Sequence, residues 1–552
     1  MKRRGFLQSM AVVTFSALGD AAYGALNLFA KEADKSRLSR VSLDMENAGR
    51  NTGDPNGIDN RDLTPKIVPD DHVLMEETAP DWVKTLIIGE IRIETVTPEG
   101  TFDAAIMALD HYAEMGVNGL WVCPIYDRDN EAMQGYGNLG PQTIWPRLTG
   151  SRDTAESLLV VKKFVDEAHR RNIRIFLDIV VWGTPKESPL VSQHPEFYTR
   201  KDGALEFVKD WNGYRFDWSS DALRLWYKSV AVDLIERTGA DGFRVDVAPY
   251  ASGYYFEEIR KELYSRGRKV VLISEMPNSR RDVFDFGEGD VTGWTEDPDF
   301  HDDAHLKEQE RKFDCNNEAA GGRNQDFLFR NNIVDIIRTG RGIGTGKMQQ
   351  EGTGGTFRFY TNNLLCHDET KPFAQGNRVR FAYATIFAPF IPMWWIGEEW
   401  NNPKTTEAAL AMYSNPIDWS KIDSNRAFYE DVKKYIRIRR SYPEIFESFS
   451  QSLRNANIVK VHTAEDGAPN AMQAYARLAT GKAIVVVPNV KNVHARFEVE
   501  LDDSALGMGS PRYTIMNLMT GQPISKTSSS LQHSSFSTEI GYGELGLYLL
   551  SE

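Results

Sequence analysis

The stretch Asp241–Tyr250, DGFRVDVAPY, sets an arginine and an aspartate two positions apart among apolar residues. In a strand, alternate side chains share a face, so Arg244 and Asp246 point one way and Phe243, Val245 and Val247 the other. A buried charge is costly unless it is paired. A neighbouring guanidinium favours the ionised carboxylate and lowers its pKa. An ionised carboxylate in a pocket can act as a nucleophile. An isolated Arg–x–Asp can equally be a structural ion pair, and the surrounding chain has to separate the two.

Working outward, apolar strand-like runs alternate with helical patterns. LIIGEIRIE (86–94), GLWVCPI (119–125), IRIFLDIVV (173–181) and KVVLISE (269–275) read as strands. Helical spacing is carried by Ile106, Leu109 and Ala113, then by Leu158, Val161, Val165 and Ala168. It recurs at Leu223, Trp226, Val230 and Leu234, and at Phe256, Ile259 and Leu263. Repeated strand–helix units with continuously apolar strands imply a parallel sheet. So many in succession predict an α/β fold of the (β/α)8 TIM barrel type. No sixth strand stands out between 285 and 350. Beyond 450 the helical period stops. AIVVVPNV (483–490), HARFEVEL (494–501) and ELGLYLL (544–550) are short strands separated by turn residues, which predicts a C-terminal all-β sandwich.

The expected organisation is a signal peptide at 1–24, a polar linker or arm at 25–80, the barrel at 81–448 and the β-sandwich at 449–552. A short insertion at about 183–218 follows the third strand. The first segment, MKRRGFLQSMAVVTFSALGDAAYG, has basic Lys2, Arg3 and Arg4 ahead of an apolar run from Met10 to Leu18. RRGFLQ resembles a twin-arginine export signal, with cleavage expected after Gly24 and a periplasmic or secreted destination. No later run reaches the roughly 18 apolar residues of a membrane span. The net charge of −14 disfavours nucleic acid and anionic membrane as partners. The three cysteines, Cys123, Cys315 and Cys366, have no metal-like spacing and argue against a disulfide framework. DPNGIDNRD (54–62) and EDPDFHDDAH (296–305) read as solvated acidic loops rather than cation sites. Oligomeric state is not legible.

Barrel enzymes carry their chemistry at the C-terminal ends of the strands. Asp178 lies near the end of IRIFLDIVV, Arg244 and Asp246 end GFRVDV, and Glu275 ends KVVLISE. His367 and Asp368 follow RFYTNNLLC. Carboxylates from several strands converging on one rim point to acid–base or nucleophilic chemistry, or to a metal.

These segments resemble the conserved regions of glycoside hydrolase family 13, the α-amylase family. DGFRVDVAPY, LISE, LLCHDE and FLDIVVWGT match four of them. WVCPIYD with QGYG, FDWSSDALRLWY, IPMWWIGEEW and IRIRRSYPEIF give further matches along 85–552. The resemblance implies a retaining α-glycosidase with Asp246 as nucleophile, Glu275 as general acid and base, and Asp368 as transition-state stabiliser. It implies that Arg244 holds Asp246 ionised, that Asp178 supports Arg244, and that Tyr136 and His367 contact the sugar in subsite −1. Such an enzyme needs one charged and one protonated carboxyl at the same pH. Arg244 is expected to lower the pKa of Asp246, while apolar neighbours Ile273 and Met276 and nearby negative charge are expected to raise that of Glu275.

The chain also departs from the family pattern. Trp182 and Gly183 stand where the family has Asn and His, and Cys366 replaces the Asn of its NHD motif. The implied consequences are no calcium at the usual site, no other cofactor, and an altered −1 subsite in which Trp182 offers an apolar platform. The expected substrate is an α-glucan or α-glucoside, with linkage and endo or exo mode open. The alternatives are a transglycosylase of the same family and a non-catalytic carbohydrate-binding member.

Overall fold

The computed structural model describes residues 80–552, apart from 129–134, 210, 249–250, 252, 276–282, 288–333, 335–360, 364–378, 380, 401–416, 448–456, 466–467, 470–473, 490–493, 509–511, 529–532 and 542. The expected signal peptide and nearly all of the arm fall outside this set. So do both acidic loops, Cys315, Cys366, His367 and Asp368. No helix among the described residues is long and apolar enough to cross a membrane.

The barrel strands are β1 (Ile88–Ile91), β2 (Gly119–Val122), β3 (Arg174–Val180), β4 (Gly242–Asp246), β5 (Val271–Ser274), β6 (Phe286–Gly287), β7 (Thr361–Asn363) and β8 (Ile391–Trp395). They are hydrogen-bonded in the order β6-β5-β4-β3-β2-β1-β8-β7. Every pairing is parallel. Among the described residues every pair of consecutive strands except β6 and β7 is hydrogen-bonded, and β1 lies beside β8, which is the cyclic order of a (β/α)8 barrel. The sixth strand is only two residues long, too short to register as an apolar run in the sequence.

The long outer helices are α1 (Leu109–Met115), α2 (Thr154–Arg170), α3 (Asp221–Thr238), α4 (Gly253–Ser265) and α5 (Arg426–Ser441). Asp153 caps α2 by accepting the Glu156 N–H, and Ser220 caps α3 through the Leu223 N–H. Gly239, in the left-handed region, ends α3. The buried face of α2 is the predicted one. That of α3 is rotated: Leu223, Tyr227, Ala231, Leu234 and Ile235 are buried, whereas Trp226 and Val230 are half-exposed.

Alternation along the strands divides the barrel lumen into two levels. Ile88, Trp121, Phe176, Val271, Ile273, Phe286, Ile391 and Met393 form one buried apolar cluster, with Val83 and Leu86 beneath. Two residues further along the same strands stand Asp178 above Phe176 and Glu275 above Ile273, and Asp246 ends β4 two residues after Arg244. The apolar plug therefore sits directly below the charged rim.

The insertion after β3 is a small antiparallel sheet of Gly183–Pro185, Gly213–Arg215 and Phe207–Val208, with a second hairpin at 200–205. Every strand pairing among the described residues of the C-terminal domain is antiparallel. Its strand β9 (Ile458–Glu465) pairs through Ile458–Val461 with Ala474–Ala479 and through His462–Glu465 with Ala495–Asp502. One strand thus serves both layers of the sandwich.

One buried arginine welds the sandwich to the barrel, and a second braces the barrel segment that it grips. Arg477 donates to the carbonyls of Phe387 (3.1 Å) and Ile445 (2.9 Å). Arg439, on α5, donates to those of Ile386, Ala388 and Phe390. The hydroxyl of Tyr475 donates to the Tyr383 carbonyl at 2.6 Å.

Candidate active site

At the centre of the rim Arg244 is completely buried and faces three carboxylates. Its Nη1 lies 3.0 Å from Asp178 Oδ2 and 2.8 Å from Asp246 Oδ1, and its Nη2 lies 3.2 Å from Glu275 Oε1. The strand register explains the meeting. Asp178 on β3 stands opposite Arg244 on β4, and Ile273 on β5 stands opposite the same arginine. Glu275 follows β5 and keeps its ladder, donating its N–H to the Val245 carbonyl at 3.0 Å.

Asp178 is held from every side. Trp121 Nε1 donates to its Oδ2 at 3.0 Å, and the Tyr136 hydroxyl donates to the same oxygen at 2.9 Å. The Tyr126 hydroxyl donates to its backbone carbonyl at 2.7 Å. The guanidinium also lies 4.5 Å from the centroid of the Trp121 ring and 5.7 Å from that of Tyr136, within cation–π range. Burial and the charge of Asp178 push the Tyr136 phenol upward, so it remains a donor.

Arg244 pulls the pKa of Asp246 down, as expected, but it does not decide the net direction. Burial is the largest influence on that carboxyl and the charge of Glu275 the next. Together they carry it well above the ordinary carboxylate range against the opposing pull of Arg244. One guanidinium shared by three carboxylates cannot neutralise all of them.

Trp182 also differs from expectation. It is 2% exposed, so it offers no open platform. Its indole N–H donates to the Tyr136 carbonyl at 2.9 Å, and Trp211 packs edge-on against it with centroids 4.7 Å apart. Trp182 is a prop beneath Tyr136. At Gly183 a β-carbon would lie 2.0 Å from the Tyr214 carbonyl oxygen across the insertion sheet, and φ is +155°. The histidine of the family pattern therefore has no room at this position.

The structure brings together Asp178, Arg244, Asp246, Glu275 and Tyr136, with Trp182 one step behind. Asp368 and His367 lie outside the described residues. Sequence reasoning missed Trp121, Tyr126 and Val247. Trp121 shares the inward parity of β2 and was within reach of a residue-by-residue count. Strand alternation assigns Val247 to the outer face of a continuing strand, but β4 stops at Asp246. Val247 turns into the left-handed region at φ +44° and donates its N–H to Glu275 Oε2 at 2.6 Å. Cys123 lies under the rim with Sγ 3.5 Å from Glu90 Oε1, and burial and Glu90 keep it a thiol.

The alpha amylase catalytic domain model matches residues 51–201. Among curated relatives, the malto-oligosyltrehalose trehalohydrolase of Deinococcus radiodurans is 27% identical over 239 residues, covering 42% of this chain and 37% of that protein. The oligo-1,6-glucosidase IMA5 of Saccharomyces cerevisiae is 22% identical over 284 residues, covering 37% and 47%. The alpha-amylase MalA of Haloarcula japonica is 22% identical over 437 residues, covering 74% and 56%. The chain thus spans between about a third and somewhat over half of these relatives' lengths. Among solved structures, the maltogenic alpha-amylase AmyB of Thermotoga neapolitana superposes with a TM-score of 0.61 at 17% identity, covering 85% of this chain and 99% of that one. The strand order agrees with that fold, and the matched segment and these relatives make the chain similar to the catalytic domain of the α-amylase family, glycoside hydrolase family 13.

Proposed function

We propose that the chain is a retaining α-glycosidase that hydrolyses α-glucosidic bonds in oligo- or polysaccharides. The observation that carries the proposal is the single buried guanidinium of Arg244 contacting Asp178, Asp246 and Glu275. In this reading the Asp246 carboxylate attacks the anomeric carbon while Glu275 gives a proton to the departing glycosidic oxygen. Water, deprotonated by Glu275, then opens the glycosyl ester and releases Asp246. The rim carboxylates stabilise the positive charge of an oxocarbenium-like state, and Arg244 holds them in register for it. Tyr136, anchored to Asp178 and propped by Trp182, forms a wall for the sugar. Asp368 and His367 are assigned to the same sugar by their place in the family motif.

The residues at the family's usual calcium position do not suit the ion. Trp182 offers an N–H donor, which ligates no cation, and that donor is committed to Tyr136. The reaction as drawn routes no step through a metal. Export through a twin-arginine pathway belongs to the same proposal and rests on RRGFLQ.

The test is turnover of a panel of α-glucans, maltooligosaccharides and α-linked disaccharides, beside an Asp246→Asn variant. Release of reducing sugar by the wild type and its loss in the variant supports the reading. New oligosaccharides in place of glucose would redirect it to transglycosylation, and no turnover across the panel would overturn it.

A further inference from the structure

Four non-glycine residues among those described have positive φ: Asn172, Asp202, Asn212 and Val247. The first three are of the types that tolerate the left-handed region, because a short polar side chain bonds locally. Val247 is not. A β-branched side chain at φ +44° crowds its own backbone, and such strain persists only where the surroundings over-determine it.

The surroundings here are specific. Asp246, immediately before, is fixed by Arg244 at 2.8 Å. The residue after, Ala248, is buried at 2% exposure. Between them the twisted peptide aims the Val247 N–H at Glu275 Oε2, 2.6 Å away, while the other oxygen of Glu275 faces Arg244 Nη2 at 3.2 Å. With Asp246 and Ala248 both held, residue 247 could reach an ordinary negative φ only if the 246–247 peptide turned over, which would carry this N–H away from Glu275. The left-handed turn is therefore what lets the residue next to the nucleophile candidate touch the acid–base candidate.

We propose that Val247 is a positioning residue whose strained left-handed backbone holds the Glu275 carboxyl in register with Asp246. This deepens the glycosidase reading and, for its kinetic consequence, rests on it. The device acts through the main chain, so it should depend on the conformation a side chain permits rather than on the valine itself.

Two substitutions separate backbone from side chain. Val247→Gly removes the strain and frees the peptide to leave the left-handed region. Val247→Asn also lowers the strain but favours that region. Both should raise Tm by about 1–3 °C. Val247→Gly should lower kcat by about 10- to 100-fold with KM little changed, because a misplaced acid–base group costs the chemical step rather than binding. Val247→Asn should restore most of that loss. Equal kcat in the wild type and both variants would overturn the proposal, as would equal losses in both, which would place the effect in the valine side chain.

Amide hydrogen exchange judges the contact without any turnover. The Val247 amide should be protected in the wild type and should exchange at least about 10-fold faster in Glu275→Ala, where its acceptor is gone. Unchanged exchange would overturn the proposal. A wild type that turns over no α-glucan would sink the glycosidase reading, while the exchange comparison would still decide whether Val247 holds Glu275.

Discussion

Arg244 places a single nitrogen, Nη1, between two carboxylates, 3.0 Å from Asp178 Oδ2 and 2.8 Å from Asp246 Oδ1. A second nitrogen is left for Glu275. A lysine ammonium is one compact donor group and cannot span the three acids in a fixed plane. Arg244→Lys should therefore lower kcat/KM by at least about 100-fold even where the chain folds. Arg244→Ala leaves the acids without their buried counter-charge and should cost about 3–5 kcal/mol of stability. Kinetics on the best panel substrate, with urea unfolding of both variants, would check this. A lysine variant with wild-type kcat/KM would show that charge alone suffices.

Asp246 carries a cost that its removal should reveal. Its carboxyl is raised well above the ordinary value of 3.8 by burial and by Glu275. A raised acid contributes stability that is full below its unfolded pKa and is lost as pH rises through its folded pKa. Toward neutral pH the folded chain therefore loses this stability, about 1.4 kcal/mol for every tenfold weakening of the acid on folding. Asp246→Asn should melt higher than the wild type at pH 7, with the gain shrinking toward pH 4. The same variant should lose at least about 10³-fold in kcat if Asp246 is the nucleophile. In the wild type the acidic limb of the kcat/KM profile should lie above the usual carboxylate range. A variant that melts lower at pH 7 would show that the Arg244 pairing outweighs the burial.

Legibility followed the length and regularity of the elements. Strands β2 to β5 are largely apolar runs, and their period alone turns Asp178, Arg244 and Asp246 toward the inward face. Glu275 is reached in the same way, one residue past β5. What escaped the sequence depends on three-dimensional accidents of the chain. A two-residue β6 leaves no period to read. The burial of Trp182 depends on Trp211, which arrives from an insertion hairpin 29 residues further along. The direction in which the Asp246 carboxyl moves depends first on its burial and then on how many carboxylates share one arginine, and spacing counts neither. The left-handed turn at Val247 contradicts the local preference of valine, and such conflicts are expected where a site imposes its own geometry.

Gly183 makes the departure from the family pattern hard to reverse. A β-carbon there would sit 2.0 Å from the Tyr214 carbonyl oxygen and 2.9 Å from the Arg215 Cα, both backbone atoms of the strand it pairs with. Gly213 meets the Thr184 carbonyl in the same way from the other side, at 2.2 Å. Restoring the family histidine by Gly183→His should therefore force the two strands apart and cost more than about 3 kcal/mol. It should also lower activity, because the insertion carries Trp211 against the Trp182 prop of Tyr136. Trp182→Phe is the milder companion: it keeps an aromatic ring, loses the rest of the indole with its N–H bond to Tyr136, and should cost about 1–3 kcal/mol. Thermal melts of both variants with kinetics would decide, and a stable, active Gly183→His would show that the hairpin gives way.

Arg477 at the domain junction predicts that barrel and sandwich unfold together. Arg439 and Arg477 reach the same short segment, 386–390, from α5 and from the sandwich respectively, and between them they bind four of its carbonyls. These carbonyls are buried away from water, so each lost guanidinium leaves acceptors unsatisfied at about 1–3 kcal/mol apiece. Arg477 also reaches the Ile445 carbonyl, beyond the end of α5, so removing it loosens the segment and the last barrel helix at once. Arg477→Met fills much of the volume without the donors. Calorimetry should show one transition for the wild type and, for Arg477→Met, a transition several degrees lower that separates into two. The variant's kcat at 25 °C should be nearly unchanged, because the Arg244-centred rim is built on β3 to β5 and not on this segment. Two resolved transitions in the wild type would show that the junction does not couple the domains.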